Sequence, residues 1–179
     1  MNPKIILCLA LVLSGGVLGC STTVGNRSLN APNPPADLPV RCHNAQYDFT
    51  FFLPASWRGY SVLVQQWDGK RYSTAKDEIV EAGHGPIIVF RNPQWSASDP
   101  YQDIPIMVFT RGQWEAEQQG KSFPYAGGVI GEMWHNHKYV FGIYSRYNAA
   151  DSVKGWKEAA NILERNCALH TEPPLCPNP

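Results

Sequence analysis

The chain has 179 residues, enough for one domain with at most a small appendage. Lys plus Arg equals Asp plus Glu at 15 each, with no basic stripe or acidic tail, which disfavours nucleic-acid binding by phosphate neutralisation. Fifteen Pro and fifteen Gly argue against an all-helical bundle, and 44% hydrophobic with 17% charged content is that of an ordinary globular protein.

The amino terminus carries the clearest signal. Met1-Asn2-Pro3-Lys4 supplies a positive charge, Ile5–Leu13 is an unbroken apolar run, and Ser14-Gly15-Gly16 breaks it before Val17-Leu18-Gly19-Cys20. That order is the order of a secretory signal, and the run is too short for a membrane span. Residues 1–19 are therefore expected to be removed, leaving 14 basic against 15 acidic side chains. Val17-Leu18-Gly19-Cys20 resembles the bacterial lipobox. The resemblance implies that Cys20 is acylated and becomes the first mature residue, and that Ser21 directs the protein to the outer membrane. Each buried methylene of such an anchor contributes about 0.8 kcal/mol. The alternative is an ordinary secreted or periplasmic protein cut near Gly19.

Residues 20–41 hold four prolines and few large apolar side chains, which predicts an extended tether rather than a packed element. The globular domain is expected over 42–167, followed by a Pro-rich tail over 168–179. With Cys8 cleaved off and Cys20 lipidated, Cys42, Cys167 and Cys176 remain, so at most one internal disulfide forms. Cys42–Cys167 is the leading pairing, with Cys167–Cys176 and Cys42–Cys176 as rivals.

Within the domain, Tyr47, Phe49, Phe51 and Leu53 alternate as one strand face, ended by Pro54. Ser61–Trp67 reads as a second strand closed by an Asp68-Gly69 turn, and residues 70–85 are ambiguous. Ile87–Phe90 and Ile104–Phe109 are apolar and β-branched, so they read as strands around a long irregular loop. Thr110 with Gln113 forms a capping-box pattern, predicting a short helix that stops at Gly120. Val129–Trp134 and Tyr139–Tyr144 read as an antiparallel pair joined at His135-Asn136-His137. The second is apolar on both faces and so interior to the sheet. Val153, Trp156, Ala160, Leu163 and Cys167 mark one face of a final helix, with Asn148 or Asp151 as its cap. The class expected is α+β: a mostly antiparallel sheet, a short helix between strands, and a carboxy-terminal amphipathic helix packed on it.

Tyr47-x-Phe49-x-Phe51-x-Leu53-Pro54-x-x-Trp57 resembles the opening of PsbP-like domains, and the closing hairpin and helix are similar too. The resemblance implies a curved antiparallel sheet between helices. It also implies an accessory or partner-binding role, since that family includes the photosystem extrinsic subunit and bacterial envelope lipoproteins and shares no catalytic motif. No binding residue carries over.

Catalytic patterns are weak. Gly59-Tyr60-Ser61-Val62-Leu63 lacks the closing glycine of a nucleophile elbow, and Gly120-Lys121-Ser122 lacks the earlier glycine of a phosphate loop. His135 and His137, two apart on a strand, could share a metal, but a third ligand is not visible locally; His43, His84 and His170 could join only through the fold. Met133 shares the parity of His135, whereas Glu132 does not. Six tryptophans invite a sugar-stacking reading against plain core packing. Trp57, Trp114 and Trp156 are assigned to the core, and Trp95, in its irregular loop with Asp99 and Tyr101, is the ligand-binding candidate. No cofactor is expected. The function expected is a non-enzymatic, membrane-tethered accessory lipoprotein with an envelope protein partner. The alternative is an envelope hydrolase or glycan-binding protein, for which Glu115, Glu117 or Asp103 beside a histidine of shifted pKa would be the sign.

Overall fold

The computed structural model describes residues 35–124, 130–144 and 153–170. The signal segment, Cys20, most of the tether, Asn148, Asp151 and Cys176 lie outside the described residues. The fold is α+β with antiparallel sheets.

The first sheet is a ribbon of β1 (Val40–Asn44) and β2 (Phe49–Leu53). Its turn, residues 45–48, is fixed by the Asn44 side chain accepting from the Tyr47 amide, with Asp48 at φ 52°. β1 falls partly in the stretch expected to be tether. Leu38, Val40 and Cys42 alternate with Pro39, Arg41 and His43, and all three apolar side chains are buried. The folded unit thus includes Leu38 and Val40, because period-2 burial outweighs a local excess of proline.

The second sheet has the order β6-β3-β4-β5-β8-β7, every pair antiparallel. After a 3-10 turn at Ala55–Trp57 come β3 (Ser61–Ser73), β4 (Glu78–Arg91) and β5 (Ile104–Thr110). Next are α1 (Arg111–Gln118), β6 (Phe123–Pro124), β7 (Ile130–His135), β8 (Tyr139–Tyr144) and α2 (Trp156–His170). Asp68-Gly69 is not a turn. β3 runs on to Ser73, and the chain reverses at residues 74–77. Gly69 instead faces a bulge of Ala82 and Gly83, where an added Cβ would sit 3.0 Å from Ser122 Oγ and 3.1 Å from the Gly83 carbonyl oxygen. A glycine required by close approach has the same local appearance as a turn glycine.

The capping box forms as expected: Thr110 accepts from the Gln113 amide and Gln113 accepts from the Thr110 amide at 2.8 Å. Gly120 adopts φ 65° just past the helix.

β4 and β5 send alternate side chains into two cores. Ile88, Phe90, Ile106 and Val108 face the ribbon and α2, whereas Ile87, Val89, Met107 and Phe109 face α1. The first core is aromatic: Phe51 stacks on Phe90 at 4.5 Å, and Phe49 meets Phe141 at 4.9 Å. In the second, the Trp67 indole lies over Gly85, its cross-strand partner, where any Cβ would approach to 2.6 Å. The indole nitrogen donates to the Val108 carbonyl at 3.0 Å, and the ring stacks on Phe109.

α2 starts at Trp156, and its buried face is Ala159, Ile162, Leu163, Asn166 and Cys167. Trp156 and Ala160 are only half-buried. Leu163 and Cys167 belong to the expected face, but the rest of the buried stripe is rotated from it because it contains Asn166, a polar residue that an apolar pattern leaves out. Asn166 is fully buried. Its side-chain oxygen accepts from the Phe52 amide and its nitrogen donates to the Phe52 carbonyl, both at 2.8 Å. Replacing Asn166 with Ala strands a buried N–H and C=O, each costing about 1–3 kcal/mol. Urea unfolding of Asn166→Ala is expected to show a loss of about 2–4 kcal/mol; a loss within the range of an ordinary surface substitution would contradict this role.

Candidate functional site

The cavity on the α1 side of the sheet measures about 520 Å³ and is lined by Gln66, Trp67, Asp68, Lys70, Ile87 and Tyr144. Ile87 and Trp67 make its apolar wall. Both faces of the Trp67 ring are covered, by Phe109 and by Gly85, so it offers an edge rather than a stacking platform. Gln66 donates to Asp68 at 2.6 Å, and Lys70 pairs with Glu81. Burial pushes the Tyr144 hydroxyl pKa up. Such a lining can hold a polar or neutral group. It contains no histidine, cysteine or serine that would activate one.

The residues singled out in the sequence do not gather there. His135 Nδ1 lies 2.5 Å from Glu132 Oε1, although the two were expected on opposite faces. A break in register between Glu132 and Trp134 puts them together. His137 is exposed, His43 contacts Thr50 Oγ1 at 3.3 Å, and His84 is exposed on β4. Among the described residues no three His, Cys, Asp or Glu side chains converge as a metal site would require. Between the histidines, Asn136 is a structural hinge pin. It accepts from the Lys138 and Tyr139 amides and donates to the carbonyls of Tyr47 and Asp48, locking two turns together.

Trp95 is half-buried beneath the Arg91 guanidinium, 3.9 Å from its ring centre. Arg91 is itself held by Asp103 at 3.0 Å. One indole face is therefore taken by a cation. The rest of the loop is strapped to the start of α2: Asp99 pairs with Lys154 at 2.7 Å, and the Gln102 amide donates to the Lys154 carbonyl. Trp57 is core as expected, and Trp114 packs half-buried on Phe109.

Of the three carboxylates, Asp103 serves Arg91 and Glu115 is exposed. Glu117 has its pKa raised by burial, and its Oε2 is buried without a hydrogen-bond partner. The histidine with a shifted pKa is His170. Burial lowers it, opposed by a hydrogen bond to the Thr50 carbonyl, and its ring stacks on Trp134 at 4.9 Å. It sits on the α2 side of the sheet, whereas α1 carries Glu117 on the other, so the acid–base pairing anticipated for a hydrolase does not assemble from these residues.

Sequence reading missed the most exposed feature, the long β3–β4 arm. Tyr72 and Ile79, directly opposite each other, are 54% and 64% exposed, and Val64 is 48% exposed. Residues 70–81 show no apolar alternation because Ser73 is the one buried side chain among them, so the pattern that marks a strand is absent.

Cys42 and Cys167, the only cysteines among the described residues, are both disulfide-bonded and lie in the same buried cluster. Among the described residues no helix is long and apolar enough to cross a membrane. No protein family, curated protein or solved structure matches this chain.

A Cys42–Cys167 link would close nearly the whole domain, worth about 5 kcal/mol on the chain-entropy account. Peptide mapping without reductant is expected to recover these two cysteines in one linked species. A Cys167–Cys176 species in its place would contradict the pairing.

Proposed function

We propose that this protein is a non-enzymatic accessory lipoprotein of the bacterial cell envelope, anchored through Cys20 and presenting its domain to a protein partner. The observation that carries the reading is the oxidised state of Cys42 and Cys167 in the core, behind an amino terminus ordered as a secretory signal. Structural disulfides persist in exported proteins and are rare in reducing compartments. The Ser21 that follows Cys20 favours the outer membrane. A partner-binding role is supported by the Tyr72–Ile79 pair exposed near the end of the β3–β4 arm. In fold, the PsbP-like reading rests on the antiparallel sheet with a helix over each face and the closing hairpin and helix. The glycan-binding alternative draws on the polar rim of the cavity, Gln66, Asp68 and Lys70.

Fractionation of cells carrying Cys20→Ala is expected to move the protein from membranes to the soluble fraction, and unchanged membrane retention would overturn the anchor. For the partner, in-cell crosslinking of the full chain is expected to recover one envelope protein. That product should be lost in Tyr72→Ser/Ile79→Ser, and its persistence there would remove the arm from the account.

A further inference from the structure

The first strand and the last helix of the described fold each bring one cysteine into the same cluster, Cys42 on β1 and Cys167 on α2. Both are oxidised, at 0% and 1% exposure. The elements around them are fastened. Asn166, beside Cys167, holds the amide and carbonyl of Phe52, and His170 reaches the Thr50 carbonyl. Phe51, directly opposite Cys42 in the ribbon, stacks on Phe90 and Trp134. The Cys167 sulfur lies 3.1 Å from the Met133 carbonyl oxygen of β7. Thiol–disulfide exchange requires a sulfur from outside to reach a protein sulfur, and exposure this low leaves no approach in the closed fold.

We infer that Cys42 and Cys167 form a redox lock set at folding: the folded chain keeps whichever state, dithiol or disulfide, it closed with. The dithiol can close as well as the disulfide. In it the Cys167 thiol donates to the Met133 carbonyl it already faces, and Asn166 and His170 still hold α2 to β2. Oxidation uses a small disulfide as the oxidant. One cysteine thiolate attacks it, forming a mixed disulfide and releasing one thiol. The other cysteine then displaces the second thiol, so two electrons and two protons pass to the oxidant. Reduction is the reverse, with a dithiol as the donor. Both directions begin at an exposed protein sulfur, so both wait until the ribbon and α2 come apart, which the Asn166 closure confines to global unfolding. For the exported chain proposed above, the bond is therefore made before closure, and a chain that folded before export would stay a dithiol. The lock itself depends on neither the anchor nor the partner.

The test uses the full chain, unfolded in urea with dithiothreitol and refolded with oxidised glutathione either present throughout or added afterwards. Alkylation and peptide mapping read Cys42 and Cys167, and circular dichroism checks that each sample is folded. With the oxidant present throughout, the two cysteines are expected in one linked species. With the oxidant added after folding, they are expected to stay thiols, reacting about a thousandfold or more slowly than in urea, the inverse of a usual unfolded fraction. Dithiothreitol added to the oxidised folded chain is expected to be slowed alike. Phe109→Leu, in the opposite core, should speed both reactions as much as it raises the unfolded fraction. Exchange in the folded chain at the rate seen in urea, rates unmoved in Phe109→Leu, or a reduced chain that fails to fold would each overturn the inference.

Discussion

The rest of the architecture depends on one pair of hydrogen bonds, those of Asn166 with the backbone of Phe52. A two-stranded ribbon is marginal by itself, and β2 has one side paired with β1 and the other open. α2 closes that open side with a side chain that copies the amide and carbonyl of a third strand. Asn166 also donates to the Ile162 carbonyl one helical turn back, so its orientation is fixed from within the helix. Four residues on, His170 reaches the Thr50 carbonyl, two positions along the same strand edge. Burial lowers the pKa of that ring, opposed by the same hydrogen bond to Thr50.

This closure allows the ribbon to serve as a lid on the large sheet. Phe49 and Phe51 point from β2 into Phe90, Trp134 and Phe141, and the adjacent oxidised Cys42 and Cys167 lie in the same cluster. The large sheet is thus buried on one face by the ribbon and α2, and on part of the other by α1, which is only eight residues long. Beyond α1 the sheet is left with a cavity and an exposed arm. The features available for interaction are those that the two helices are too short to cover.

The sequence was legible where burial leaves a periodic trace. β4, β5 and β8, packed on both faces, show as apolar runs, and the capping box at Thr110 and the stop at Gly120 are local chemistry that needs no tertiary context. It was misleading where tertiary contact decides. Gly69 reads as a turn and is a close approach. Asn166 breaks the apolar stripe and is the residue that positions it. β1 is masked by neighbouring prolines. The bulge in β7 that joins Glu132 to His135 has no signature in residue types. For the candidate site, Cys42 and Cys167 are both disulfide-bonded, whereas Cys176, the member of the two rival pairings, lies outside the described residues. His135, His137 and Trp95 were chosen as residue types, and each is satisfied by a neighbour or by solvent rather than drawn into a common pocket.

Native-state hydrogen exchange at the Phe52 amide tests the central claim most directly. If Asn166 closes the β2 edge, that amide exchanges only through global unfolding, and its protection equals that of the core amides of β4 and β5. Exchange at the rate of an open strand edge, while β4 and β5 remain protected, would show that α2 does not hold the ribbon and would contradict the account.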